Sequence, residues 1–223
     1  MSIYDKNFTG TGYLMKYETP KLNTAEKRIV LQFRIELNEI APAIWRRIQI
    51  PLDCNFWDLH VAIQDAMGWQ DCHLHHFEIK GKRKRNEVHI GIPDFDRFGG
   101  AQEVFPGWEI PVTEHFNDLG VTAKYLYDYG DYWCHTVVLE GYILKDAGGE
   151  YPRCLDGARA CPHEDCGGIG GYEELIKTLS NRKHEEYKET RLWAGDWHQE
   201  SFNPAEIKFD CPYSRWYDAF LMP

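Results

Sequence analysis

The residues with the most chemical potential crowd into one short run. Cys154, Cys161 and Cys166 follow the spacing C-x6-C-x4-C, with Pro162, His163, Glu164 and Asp165 between the last two and Gly167-Gly168 after them. A zinc ion takes about four thiolate or imidazole ligands at tetrahedral corners. A Gly/Pro-rich segment can turn freely enough to present them. His135 precedes the run and is the candidate fourth ligand, so the expected metal set is Cys154, Cys161, Cys166 and His135. The paired C-x2-C knuckles of zinc modules are absent, and the same thiols can equally pack as small hydrophobes.

Two further groups could act with this run. In Asp71-Cys72-His73-Leu74-His75-His76, a strand would project His73 and His75 from one face, where they could bind a metal or move protons. Set against this, His75 is in phase with Phe77 and Ile79, as a hydrogen-bonded histidine at the edge of a core would be. In Tyr127-Asp128-Tyr129-Gly130-Asp131-Tyr132-Trp133, the acids could serve metal-assisted hydrolysis or simply stabilise a tight turn. The candidate catalytic set is therefore His75, Asp128, Asp131, Glu164 and Asp165. A basic run, Lys82 to Arg85, could meet nucleic acid or an acidic partner, or form a solvated hairpin tip. No P-loop, G-x-S-x-G elbow, H-E-x-x-H helix or dinucleotide fingerprint is found.

The elements that must position these groups follow from hydrophobic periodicity. Ile29, Leu31, Phe33, Ile35 and Leu37 alternate with mostly polar residues, and so do Ile44, Arg46, Ile48 and Ile50. That pattern predicts an antiparallel hairpin broken at Ala41-Pro42. Asn55 with Asp58 marks a helix start, Phe56, Leu59, Ile63, Ala66 and Met67 form its apolar stripe, and Gly68 marks its end. Strands are expected at His75–Ile79 and Val88–Ile92, a loop from Pro93 to Pro111, and a hairpin turning at Gly130-Asp131 with glycine at positive φ. A loop from Tyr151 to Gly171 leads to a helix with Tyr172, Leu175, Ile176 and Leu179 on one side. A charged helix follows from Lys183 to Ala194, then a strand-like run from Ile207 to Phe209. This is an α+β order whose early hairpin and helix suggest a β-grasp-like sheet.

The composition fits one such domain. Of 223 residues, 43% are hydrophobic and 14% aromatic, which is ample for a core. The expected division is an extension at 1–28, a domain at 29–210 and a tail at 211–223. The balance of 25 Lys+Arg against 35 Asp+Glu gives a net charge of −10, which disfavours non-specific nucleic-acid binding and leaves a protein partner open. There is no apolar run of membrane-spanning length and no secretory leader, so a cytoplasmic protein with reduced thiols is expected.

Several ordered segments together resemble the plasmid pRiA4b ORF-3-like family. They are Ala41-Pro42-Ala43-Ile44-Trp45-Arg46-Arg47, Leu59-His60 through Met67-Gly68-Trp69, His73 through Ile79, Tyr127 through Trp133 with His135, and Pro152 through Gly168. The match runs from about Ile29 to Phe209. His163 and Tyr132 depart from the usual pattern. Members carry labels such as TnpR-type transposon passenger, which the residues do not support here: no serine stands beside an arginine cluster as a resolvase requires. The resemblance implies a shared polar site at Asp128, Asp131, His135, Glu164 and Asp165, without an activity. Two classes of function follow. One is a binding or adaptor module with a structural zinc loop; the other is a metal-dependent hydrolase using the His/Asp/Glu set.

Overall fold

The computed structural model describes residues 15–80, 87–93 and 103–222, so the basic run at Lys82 to Arg85 lies outside the described residues. The expected hairpin is present. β1 (Ile29–Leu37) and β2 (Ile44–Pro51) pair antiparallel with Phe33 opposite Ile48 and Arg34 opposite Arg47. The period of two sends Leu31, Phe33, Ile35 and Ile48 into the core, and Gln32, Arg34 and Arg47 to the other face.

α1 (Phe56–Met67) starts and stops where its sequence dictates. Asn55 accepts a hydrogen bond from the Asp58 amide at 2.9 Å, and the Asp58 carboxylate accepts one from the Asn55 amide at 2.9 Å. Gly68 ends the helix at φ 83°, a left-handed conformation that glycine adopts without strain. Nearly every residue of α1 is buried, so both of its sides are covered. Phe56, Leu59 and Ile63 meet the sheet core, while Trp57 and Val61 meet Trp108 and Trp216 on the opposite side.

The remaining strands are β3 (His75–Lys80), β4 (Glu87–Gly91), β5 (Val104–Pro106), β6 (Thr122–Tyr127), β7 (Trp133–Leu144) and β8 (Arg153–Ala158). The eight strands form one sheet in the order β5-β4-β3-β6-β7-β1-β2-β8, antiparallel except for the β4–β5 pair. With α2 (Gly168–Ser180), α3 (Tyr187–Ala194) and α4 (Pro212–Phe220), the fold is α+β, as expected. Among the described residues no helix is long and apolar enough to cross a membrane.

Four local expectations are corrected. The turn after β6 has its positive φ at Asp128 (58°) and Tyr132 (59°), not at Gly130. Aspartate tolerates this because its Oδ1 accepts the Gly130 amide at 2.8 Å. Within the cysteine-rich loop, Arg153 to Ala158 forms strand β8 against β2. As an edge strand it lacks apolar alternation, and it needs Gly157, since a Cβ there would lie 2.6 Å from the Phe202 ring. Ile207 to Phe209 is not a strand. The tail carries α4, whose Trp216 is buried against Trp57 and Trp108. The start of the described chain also docks there, with Tyr17 tilted against Trp216, edge-on to Tyr213 and hydrogen-bonded to Asp58.

One polar side chain joins these parts. Arg46 sits on β2 in phase with Ile44 and Ile48 and is 2% exposed. Its Nε donates to Ala66 O at 2.9 Å, Nη1 to Trp45 O and Ala158 O at 2.8 and 3.0 Å, and Nη2 to Arg159 O and Cys161 Sγ at 2.8 and 3.4 Å. All five N–H groups are thus satisfied, and the Phe202 ring covers the guanidinium at 3.9 Å. None of the acceptors is a carboxylate. Ala66 lies at the C-terminal end of α1, where the helix dipole is negative.

Removing this group would leave several buried carbonyls unpaired, each costing about 1–3 kcal/mol. Arg46→Met is expected to lower unfolding stability by at least about 3 kcal/mol in urea titration. Arg46→Lys is expected to lose nearly as much, because an ammonium cannot span the fork. A lysine variant within about 1 kcal/mol of wild type would contradict this account.

Candidate functional site

The cysteine run does not gather into one centre. Cys161 is buried, with its thiol on Met67 Sδ at 3.1 Å and beside Arg46. The Cys154 thiol faces Asp156 O at 3.6 Å, and the Cys166 thiol faces Gly168 O at 3.8 Å. His135 lies fully buried on β7, its Nδ1 donating to Tyr125 O at 3.4 Å and its ring edge-on to Trp69. Among the described residues three groups have ligand atoms within 4.8 Å of one another, and none contains a cysteine or His135. Strand pairing holds Cys154 on β8 while Arg46 draws Cys161 toward the end of α1. Burial pushes all three thiols up, Cys166 to about 12, so they remain protonated.

The candidate carboxylates do meet. The turn at 128–132 and the loop at 159–167 face each other, and four acids stitch the junction. Asp131 accepts the Gly167 amide at 3.0 Å. Glu164 accepts the Gln70 amide at 2.7 Å and the Tyr127 hydroxyl. Asp165 meets His73 Nε2 at 2.9 Å, with Asp128 Oδ2 3.6 Å from the same nitrogen. The Trp69 indole donates to Pro162 O at 3.0 Å from below. His73, Asp128 and Asp165 form a metal-capable group, but Asp165 is 71% exposed.

His75 stands apart from this junction. It faces α1 and stacks on His60, with centroids 3.4 Å apart and planes 7° from parallel. His60 Nδ1 lies 2.8 Å from the Tyr125 hydroxyl and Nε2 lies 2.8 Å from Asp71 Oδ1. A neutral ring satisfies both, with Tyr125 donating to Nδ1 and Nε2–H donating to Asp71. Burial holds His60 and His75 well below the usual imidazole range. Burial also raises Asp71 to about 6, although Arg215 of α4 stands 3.7 Å away. The pairing of His60 with Asp71 was not anticipated. Its signal was a histidine set between Leu59 and Val61 within a helix rich in apolar residues.

A further group lies on the opposite face of the sheet. His76 and Glu78 alternate with His75 and Phe77 on β3, and β4 places His89 directly across from Glu78. β6 places Lys124 on the other side of Glu78, 3.3 Å from its Oε2. His76 Nδ1 lies 2.8 Å from the Tyr129 hydroxyl and Nε2 lies 3.2 Å from Glu78 Oε1. His89 is 6% exposed, and its Nε2 is buried with no hydrogen-bond partner. The Tyr132 ring lies over the Lys124 ammonium at 5.6 Å. Alternation in the sequence pairs His76 with Glu78, but only the β3–β4 register adds His89.

The buried imidazoles make stability pH-dependent. Burial lowers His135 to about 4, so the fold favours its neutral form. Its contribution is complete above about pH 6.5 and is lost as pH falls toward 4, because the unfolded chain then binds the extra proton. Asp58 and Asp71, each raised to about 6 by burial, oppose this between about pH 4 and 6, where the fold binds the extra protons. His135→Phe removes only the histidine contribution. Between pH 7 and 5 the variant is expected to lose about 2 kcal/mol less stability than wild type. Parallel pH profiles of urea unfolding would contradict this.

Comparison with known proteins places the whole arrangement in a family. The plasmid pRiA4b ORF-3-like protein model matches residues 29–207. An uncharacterized protein of Sinorhizobium fredii is 32% identical over 167 residues, covering 74% of this chain and 81% of its own. The crystal structure of a protein of unknown function from Methanosarcina mazei Go1 aligns at a TM-score of 0.73 with 36% identity, over 81% of this chain and 98% of that one. The matched span contains β1 through α3, with Arg46, the stitched junction and all three histidine groups. The chain therefore belongs to the plasmid pRiA4b ORF-3-like protein family.

Proposed function

We propose that this domain is a binding module for a protein partner. The observation that carries the reading is what its acids do. Asp128, Asp131 and Glu164 each accept a backbone amide, from Gly130, Gly167 and Gln70. A general base must instead aim a free oxygen at the proton it removes. The protonated thiols of Cys154, Cys161 and Cys166 offer no ready nucleophile. Exposed apolar groups sit elsewhere, at Leu192 (84%) and Trp193 (53%) on α3 and at Tyr213 (52%) on α4. Tryptophan and tyrosine are favoured anchors at protein interfaces. The net charge of −10 argues for a neutral or basic protein surface as the partner and against a nucleic acid.

The hydrolase reading retains one specific support, the metal-capable surface group of His73, Asp128 and Asp165. The two readings separate on variants. As a binding module, the chain is expected to give no metal-dependent hydrolysis of p-nitrophenyl acetate or bis-p-nitrophenyl phosphate with Zn2+, Mn2+ or Mg2+. Asp131→Asn, which weakens the Gly167 bond, should lower the melting temperature by about 2–4 °C. Asp165→Asn should leave it within about 1 °C, since that carboxylate is mostly solvated. Metal-dependent turnover abolished by Asp165→Asn would overturn the binding reading.

A partner that uses α3 should be lost on changing Leu192 and Trp193 together to serine, with the melting temperature unchanged. Proximity labelling in cells, followed by reconstitution with the purified candidate, reads this directly. A partner whose affinity is indifferent to both residues would remove α3 from the proposal.

A further inference from the structure

We infer that His76, Glu78 and His89 form a binding site for a divalent transition-metal ion on the face of the sheet away from α1, separate from the surfaces invoked above. Three features converge. The ligand atoms of all three lie within 4.8 Å of one another. His76 Nε2 and Glu78 Oε1 are already 3.2 Å apart. Two ligand atoms on one tetrahedral zinc, each about 2.0–2.1 Å from the metal, are separated by about 3.3 Å. The third feature is His89 Nε2, buried and without a partner. An unpaired polar atom in such a place is destabilising, and a metal ion would relieve it.

The surroundings suit ligation. Metal-bound histidines commonly use their second nitrogen to fix ring orientation, and His76 Nδ1 has the Tyr129 hydroxyl at 2.8 Å. Without metal, Nε2–H donates to Glu78 and Tyr129 donates to Nδ1. With metal, the ring proton moves to Nδ1 and Tyr129 accepts it, so the imidazole stays neutral. A phenol can play either part. Glu78 divides its oxygens, with Oε1 toward His76 and Oε2 toward Lys124 at 3.3 Å. The lysine then holds the ligating carboxylate in place. Two imidazoles and one carboxylate suit zinc and its first-row neighbours better than magnesium or calcium, which take oxygen ligands. Three protein ligands leave at least one position open to water or a small ligand.

The two other metal-capable groups fit less well. In the first, the His60 and His75 rings stack face to face, 3.4 Å apart and 7° from parallel, so their in-plane lone pairs run in parallel planes and do not converge on one ion. In the second, Asp165 is mostly exposed and Asp128 already caps its own turn.

The test is zinc binding to the chelator-treated full chain, read by calorimetry, with Co2+ absorption as a second probe. One zinc per chain is expected, with affinity reduced at least tenfold in His89→Gln and in Glu78→Gln, and unchanged in His73→Gln. A variant can fail by unfolding, so the imidazole NMR signals of the wild type are followed through the same titration. Those of His76 and His89 should shift while those of His60 and His73 do not. No stoichiometric binding at 100 µM zinc, about the weakest affinity the proposal allows, would overturn it. So would binding that His89→Gln leaves intact, or shifts confined to His73.

Discussion

The architecture depends on a buried guanidinium with no counter-ion. Arg46 occupies a core position on β2, yet all five of its N–H groups are paired with three backbone carbonyls of the β8 region and its neighbour, one at the end of α1, and one thiol. Burying a charge is tolerable only when it is solvated by dipoles or paired. Apart from the adjacent Trp45 carbonyl, the acceptors come from segments 20 to 115 residues away in the chain, so the charge is satisfied only when sheet, helix and loop assemble together. That requirement fixes where β8 ends and where the loop after it begins.

From that fixed point the rest of the loop follows. The Cys161 thiol is drawn toward Arg46 and Met67, and Pro162 receives the Trp69 indole. Glu164 and Asp165 then face the residues that follow α1 and the turn after β6, and Asp131 meets Gly167 at the start of α2. The acids of the junction therefore hold two irregular segments in one geometry. The histidines fall on two faces of the sheet. His60 and His75 are sealed behind α1 as neutral rings, and His76 and His89 are on the opposite face, with Tyr129 against His76.

How much of this was legible depended on the range of each interaction. The hairpin and α1 could be read because alternation, the Asn55–Asp58 box and Gly68 act within a few residues. Strand β8 could not, because an edge strand with only Cys154 facing the core shows no period. α4 was read as a tail because its nine residues are too few to show a stripe, and tertiary contact with Trp57 sustains it. The cysteine spacing suggested one centre, but closeness in sequence gave way to the separate demands of strand pairing and Arg46. Asp128, Asp131, Glu164 and Asp165 come together because they belong to two short ordered segments that face each other, while His75, expected with them, lies against α1. Their role as amide acceptors, and the placing of His89 opposite Glu78, rest on long-range register that no local pattern carries.

The central claim is that the candidate carboxylates are structural ties across an otherwise exposed junction. Native-state hydrogen exchange at the backbone amides of Gly130, Gly167 and Gln70 tests it most directly. All three residues are solvent-exposed, and unbonded amides there would exchange at the rate of a free loop. If Asp128, Asp131 and Glu164 tie the junction, these three amides exchange with protection approaching that of the β7 ladder. Exchange at free-loop rates would show that the acids are not held by the backbone and are available for chemistry, contradicting the account.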